Sequence, residues 1–463
     1  MLILAGVTIN LTLGENGIFQ TAQKAAKNYK EAEDKETAEL YGFETLMNDT
    51  INGIYVLNGS WSSKNNVNKP KVSGTGLTPV TLNSDGSYGI PNIEEDRWYS
   101  YDGETNKWAN ARTKDGSLWV WIPRFAYKIT YTNVDDKSAG GIIDVVFLQG
   151  TSDNYYDENG VLQTAKRATT SNMVPDTETG YTVHPAFTNE SSIKYANGGW
   201  DSELAGIWVA KFEAGYASGN NEAKVQASKV NYTQASAWVP ATEAGTSSDT
   251  TKAARNWLDG EYGVYNSETG KYEWKNGEMA IKYPTFQGIT YAMNYININD
   301  AYNISKALTG ANNIYGLSSS QADSHLMKNS EWGAVAYLSK SKYGLNGTNI
   351  YINNVTLGNS TQSVYAVTGC CTSTDNADQG ATTTTIADIN ARTASGVYVW
   401  TEEKGQRASS TGTIYGVYDM SGGAWEYVMG VLADSSGNPM SGRHNLNNSG
   451  AFIFLSKNSP IFF

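Results

Sequence analysis

The chain opens on an almost uninterrupted apolar run, Met1 to Leu13, and then changes pattern. After Gly14 and Gly17, Ala22, Ala25, Ala26, Tyr29 and Ala32 recur at steps of three and four, with Lys24, Lys27, Lys30, Glu31 and Glu33 around them. One apolar stripe of that period predicts a helix from about Ile18 towards Met47. The apolar run before it is shorter than the ~20 residues that cross a bilayer. It also lacks the basic flank and small-residue cleavage site of a secretory signal, so as written it predicts neither a span nor export.

From 50 to 115 the pattern shortens to brief alternations broken by Asn-Gly, Asp-Gly and Pro, which predicts hairpins and loops. "YSYDGETNKW" (99–108) and "YNSETGKYEW" (265–274) each place aromatic residues on either side of a polar turn and are expected to be similar hairpins. "YYDENG" (155–160) reads as a third such turn or as an acidic loop. From about 116 the elements lengthen. "SLWVWIPRFAYKITY" is expected as a strand around Pro123, and "AGIWVAKFEAGY" (205–216) as another. "TYAMNYININD" (290–300) and "SEWGAVAYLSKSKYG" (330–344) are expected as helices. In the second, Trp332, Val335, Ala336 and Leu338 share a face, Asn329 or Ser330 is placed to cap, and Glu331 suits the positive end of the dipole.

Composition sharpens this. The 463 residues are 40% hydrophobic and 17% charged, with 30 tyrosines and 13 tryptophans, so polarity is carried largely by Asn, Ser, Thr and Gly. Aromatic and hydroxyl side chains fit pleated, half-buried surfaces, and they also suit binding faces. A formal net charge of −12 with no Lys/Arg cluster argues against nucleic acid as a partner. The two cysteines, Cys370 and Cys371, are adjacent, which excludes a disulfide framework and a CxxC zinc site. His184, His325 and His444 stand far apart without ligand spacing and read as surface or packing residues. No GxSxG, HExxH or phosphate-binding glycine loop occurs.

Five segments resemble two known families. "LILAGVTINLTLGENGIFQTAQKA" resembles the second half of the N-terminal helix of type IV pilin-like proteins of Gram-positive bacteria. That resemblance implies a leader, a processing site and first helical turns ahead of this chain. Taken alone, the residues also allow an ordinary amphipathic cap helix. Further on, "LWVWIPRFAYKITY", "VHPAFTNESSIKYANGGWDSELAGIWVAKFEAGY", "LMKNSEWGAVAYLS" and "YGVYDMSGGAWEYV" are similar, in order, to motifs of the formylglycine-generating enzyme (sulfatase-modifying factor) superfamily. Its fold is a variant of the C-type lectin. The implied class is α+β: a long N-terminal helix over 1–48, a β-rich hairpin or spacer region over 49–115, and a lectin-like mixed domain with few helices over 116–463. The family's ending on further sheet strands has no clear match in "SGRHNLNNSGAFIFLSKNSPIFF", which suggests a C-terminus cut short.

By this resemblance, a structural calcium would take Asp419, the backbone carbonyls of Gly422 and Ala424, and Glu426, the hard oxygen donors such a cation prefers. Glycine at 422 and 423 would let the backbone curl inward, although the family usually has Asn where Gly423 stands. A plainer reading of the same residues has Asp419 and Glu426 capping turns. Trp332 and Trp425 are expected in the core. The oxidase members bind copper through cysteines separated in sequence. The vicinal pair here lies upstream of the tryptophan motif, so no catalytic or cofactor-binding residue is assigned. These readings point to a non-enzymatic surface or pilus-associated protein, extracellular and tethered through its N-terminal helix. Its ligand would be a carbohydrate or a protein, and other pilin subunits are further candidate partners. Two alternatives remain: an enzyme of the formylglycine-generating type, and a hypervariable receptor-binding protein diversified by a retroelement.

Overall fold

The computed structural model describes residues 67–91, 98–136, 140–167, 180–189, 200, 202–216, 263–266, 271–274, 284–290, 292, 298–310, 313–357, 366–373, 375, 382–424, 426–430 and 452–456. The pilin-like segment and its expected helix lie outside them.

The first ten strands are β1 (Thr78–Leu82), β2 (Tyr88–Gly89), β3 (Asn110–Arg112), β4 (Leu118–Pro123), β5 (Phe125–Tyr131), β6 (Gly141–Phe147), β7 (Asn154–Tyr156), β8 (Leu162–Thr164), β9 (Thr182–Val183) and β10 (Gly206–Ala210). They form a five-stranded sheet in the order β10-β4-β3-β1-β2, a three-stranded sheet β6-β5-β9, and the hairpin β7–β8, with antiparallel pairing throughout. The boundary expected at 115/116 falls inside the larger sheet, because β1 to β3 pair onward to β4 and β10.

The stretch expected as one strand is two, β4 and β5, divided at Arg124. Pro123 brings no N–H to the ladder, and beyond it the chain changes sheets. The Arg124 N–H goes to Ala205 O at 2.9 Å, while its carbonyl accepts from Leu148 N at 3.1 Å. Its side chain is fully buried. The guanidinium donates to the carbonyls of Ser152 (3.0 Å) and Phe187 (2.8 Å) and pairs with Asp153 (2.8 Å) and Glu203 (2.7 Å). Arg167 bridges the same two carboxylates at 2.7 and 2.8 Å, so charges alternate around a ring. A buried cation survives in this setting because its donors are satisfied on several sides.

The remaining elements are shorter: β11 (Gly215–Tyr216), β12 (Gly263–Asn266), β13 (Lys271–Trp274), β14 (Pro284–Thr285), α1 (Ile298–Ala307), α2 (Asn329–Lys340), β15 (Val355–Leu357), β16 (Cys370–Cys371), β17 (Thr382–Thr384), α3 (Ile386–Ala391), β18 (Tyr398–Val399), α4 (Glu403–Gln406), β19 (Glu426–Gly430) and β20 (Phe452–Ser456). The described chain is thus β-rich with few helices.

β12 and β13 pair as the expected hairpin. The 155–160 turn closes β7–β8, its Asp157 carboxylate accepting the N–H groups of Asn159 and Val161. The 99–108 stretch forms no strand ladder. There Asp102 gathers the N–H groups of Glu104 and Thr105, and the side chain shapes the loop. The first expected helix starts only at Ile298. Before it, Ile289 and Ala292 donate their N–H groups to Thr368 and Ala366, which commits that backbone to another segment. α2 begins one residue earlier than its expected caps: Glu331 reaches back to the N–H of Lys328 at 2.8 Å. Among the described residues, no helix is long and apolar enough to cross a membrane.

The largest core joins Trp98, Tyr101, Trp108, Trp121 and Phe125 to Ala334, Val335 and Leu338 of α2. A second gathers Val80, Leu82, Leu118, Phe212, Cys371, Trp400 and Tyr418. A third holds Val355, Val367, Cys370, Ile389 and Val399. Val417 belongs to the first of these cores and Tyr418 to the second.

Candidate functional site

Three segments distant in sequence meet at Asp419. The first follows β10, where the strand's alternation continues as Lys211, Phe212 and Glu213: Phe212 enters the second core, and the two charged residues flank it. The second is Asn353, just before β15. The third is Gly369, just before β16.

Asp419 is 4% exposed and has φ +61°, a left-handed backbone that an Asp adopts more readily than most residues. One carboxylate oxygen accepts from Asn353 Nδ2 at 3.0 Å, and both accept from the Gly369 N–H at 3.0 Å. The N–H of Glu213 adds a longer contact at 3.4 Å. Asn353 locks the same turn through its backbone, donating to Ser421 O and accepting from Gly423 N, both at 2.8 Å. Asp419 is therefore engaged chiefly as an acceptor that ties loops together.

The curl expected at the two glycines is present: Gly422 and Gly423 have φ +83° and +73°. A Cβ at Gly423 would run into the Glu213 carboxylate, and one at Gly422 into the Asn353 backbone. A side chain in place of Gly423 is thus incompatible with this position of Glu213. The Glu213 carboxylate takes that space and accepts the N–H of Ala424 at 3.0 and 3.1 Å.

Three carboxylates result. Burial pushes Glu213 well above the usual carboxylate range, and the charges of Asp419 and Glu426 push it further. Burial raises Asp419 to about 6 against the opposing bonds from Gly369 and Asn353. Burial and the charge of Asp419 raise Glu426 to about 7, opposed by a hydrogen bond from Trp332. The three share one repulsive neighbourhood. Among the described residues, however, no three of His, Cys, Asp and Glu are placed as a metal-ligand group. Each carboxylate meets a neutral donor: Asp419 accepts from Asn353 and Gly369, Glu213 from Ala424, and Glu426 from Trp332. Of the two tryptophans expected in the core, Trp332 is half-buried and bonded to Glu426, and Trp425 lies outside the described residues.

Lys211 is fully buried. Its ammonium donates to Asn110 Oδ1 (3.0 Å), Ile414 O (2.6 Å) and Gly416 O (2.8 Å), one acceptor for each proton. It also lies 5.3 Å from the centre of the Tyr418 ring. Burial pulls its pKa well below the ordinary lysine value, while the three acceptors favour the charged form. It fastens the turn before Asp419 to the large sheet.

Cys370 and Cys371 sit side by side in β16, opposite Val399 and Tyr398 of β18. Neighbours in a strand point to opposite faces, and here they enter different cores. Both are buried and unpaired. Burial raises the Cys371 thiol to about 12 and the Cys370 thiol well above its ordinary value, with the Asp419 charge adding to each. Of the two described histidines, His184 is enclosed by Phe125, Tyr127, Phe187 and Tyr337, and burial lowers it to about 3. His325 lies between Asp323 and Glu331.

Sequence reading brought Asp419 and Glu426 forward and missed Lys211, Glu213, Asn353 and Gly369. The available signal was a Lys-x-Glu pair directly after an apolar strand, where charge is out of place unless something inside receives it. Comparison of the chain with protein-family models, with curated proteins and with solved structures finds no match.

Proposed function

We propose that this chain is a non-enzymatic ligand-binding protein of the bacterial surface, pilus-associated through its N-terminal segment. Its lectin-like domain would be of the formylglycine-generating-enzyme type, with calcium bracing the last turn. The observation that carries this over the oxidase alternative is the placement of Cys370 and Cys371. Thiols that face separate apolar cores are poorly placed to meet on one copper ion, since soft-metal binding needs thiolates aimed at a common point.

Rigid presentation of loops is what the remaining polar interior supports. Lys211, Asp419, Asn353 and Arg124 each bond backbone of other segments, so loops without long strands are held by buried side chains. Calcium is proposed at Glu213, Glu426 and the carbonyls of Gly422 and Ala424, with Asp419 beside it. There it would neutralise three crowded carboxylates.

Oxygen uptake by the full chain with copper and a cysteine-containing peptide tests the enzymatic alternative. No uptake above background is expected. Uptake abolished by Cys370→Ser with Cys371→Ser would overturn the reading.

A further inference from the structure

The described arginines divide into two groups. Arg124, Arg167 and Arg392 are each within ion-pair distance of a carboxylate. Arg112 and Arg407 are not; each instead lies over a tyrosine ring, Arg112 at 4.9 Å from the centre of Tyr88 and Arg407 at 4.7 Å from that of Tyr351. Lys404 repeats the arrangement at 4.8 Å over Tyr398, whose hydroxyl it also meets at 3.3 Å. On a chain of net charge −12 carboxylates are plentiful, so cations paired with rings alone are out of the ordinary.

All three pairs border the second core. Tyr351 and Tyr398 pack against it from outside. Arg112 and Tyr88 lie opposite Thr78 and Leu82 of β1, which places their side chains on the face carrying buried Val80 and Leu82. The β1–β2 turn rests on Trp400 and Thr401, since a Cβ at Gly86 would strike both. The 398–407 stretch continues from there, and Tyr351 N donates to Arg407 O at 2.9 Å. Lys404 and Arg407 are exposed, and Tyr88 is 43% exposed.

A guanidinium stacked on a ring is restrained in orientation, so an oxyanion meets a donor fork with less freedom left to lose; Arg112 has its Nε buried, so its other nitrogens would serve a ligand. The carboxylates nearby are largely engaged: Glu402 accepts the Val399 N–H and faces Arg392, and Asp85 accepts from Ser87. Glu403 is exposed.

We propose that this tyrosine-backed strip binds an acidic saccharide, its carboxylate or sulfate groups meeting Arg112, Lys404 and Arg407 and its sugar C–H faces meeting exposed tyrosine. The assignment deepens the ligand-binding reading and rests on it. A saccharide bears discrete anionic groups that a few cations can serve. A nucleic acid duplex instead carries a charge every ~1.7 Å and would bring that field against an acidic protein.

The test uses the full chain on immobilised heparin, hyaluronate, neutral dextran and duplex DNA, with Lys404→Gln/Arg407→Gln and Arg112→Gln variants checked by melting. The expected result is retention on at least one acidic polysaccharide and none on dextran. At least a tenfold loss of that affinity is expected in the double variant at unchanged melting temperature, with recovery in Arg407→Lys. Absence of binding to both acidic polysaccharides, or binding that the variants leave intact, would overturn the assignment. So would equal, variant-sensitive binding to DNA, which would name nucleic acid instead. Failure here leaves the broader reading standing if other glycans or surface proteins are still bound; only copper-dependent oxygen uptake would remove that reading too.

Discussion

Glu213 and Ala424, 211 positions apart in the chain, are joined by hydrogen bonds of 3.0 and 3.1 Å from the Ala424 N–H to the two Glu213 carboxylate oxygens. The contact sets the close of the fold against the end of its central sheet, in space that glycine at 423 leaves open. Replacing Glu213 separates the two parts of its role. Glu213→Gln keeps an acceptor for Ala424 and removes a charge crowded by Asp419 and Glu426. Glu213→Ala leaves a buried N–H without a partner, at a cost of about 1–3 kcal/mol. In metal-free protein at pH 8, urea unfolding should therefore rank Gln at or above wild type and Ala below both.

Lys211 should tolerate replacement poorly. Lys211→Met fills the space but strands Asn110 Oδ1 and the carbonyls of Ile414 and Gly416. The expected loss is about 2–3 kcal/mol, because buried neutral acceptors are left without donors. Denaturant midpoints would record it. A loss under about 1 kcal/mol would mean that the three bonds contribute little net stability.

His325 supplies a pH dependence of definite sign. Burial opposes its charge, but the bonds to Asp323 and Glu331 outweigh this and raise it to about 9 from 6.5. A base raised in the folded state adds stability that is complete below its unfolded pKa and is lost as pH climbs through the folded one. His325→Gln should cost about 2 kcal/mol at pH 6, and the difference from wild type should shrink towards nothing by about pH 10. Paired pH–stability curves provide the check.

The two cysteines should differ in their tolerance of serine. Cys371 Sγ has the carbonyls of Lys404 and Gly405 at 3.7 and 3.9 Å, so a serine there faces polar neighbours, which a small shift would bring into hydrogen-bond range. Cys370 sits among Val355, Val367, Ile389 and Val399, where a hydroxyl finds apolar neighbours. Cys370→Ser should cost about 1–3 kcal/mol and Cys371→Ser less, as denaturant midpoints of the two single variants would record.

What was legible in the sequence was local. The hairpins at 155–160 and 265–274 follow from turn residues between alternating apolar positions, and the helix at 329–340 from its period and its Glu331. The split at Arg124 was not legible, because it depends on carbonyls of Ser152 and Phe187 that come near only in the folded chain. The late start of α1 likewise depends on backbone pairing with 366–368, which no propensity encodes. At the site, the left-handed turn was visible in its glycines. Its receiving partners, Lys211, Glu213 and Asn353, lie 66 to 208 positions from Asp419 or further in effect, being tied to it only by tertiary contact. Charge placed directly after an apolar strand was the one linear sign of them.

The proposed calcium at Glu213, Glu426 and the carbonyls of Gly422 and Ala424, with Asp419 beside it, is tested most directly by thermal unfolding of the metal-stripped full chain with and without calcium. Carboxylates raised in the folded state stabilise it fully below about pH 4, and that contribution is lost as pH rises through the values of about 6 and 7 reached by Asp419 and Glu426. Metal-free protein should therefore be less stable at pH 8 than at pH 5. Calcium at a hundredfold excess over its dissociation constant should return about 2.7 kcal/mol at pH 8, a rise of several degrees, and much less in Glu213→Gln. An unchanged melting temperature with calcium at pH 8 would contradict the claim and leave the turn a packing feature alone.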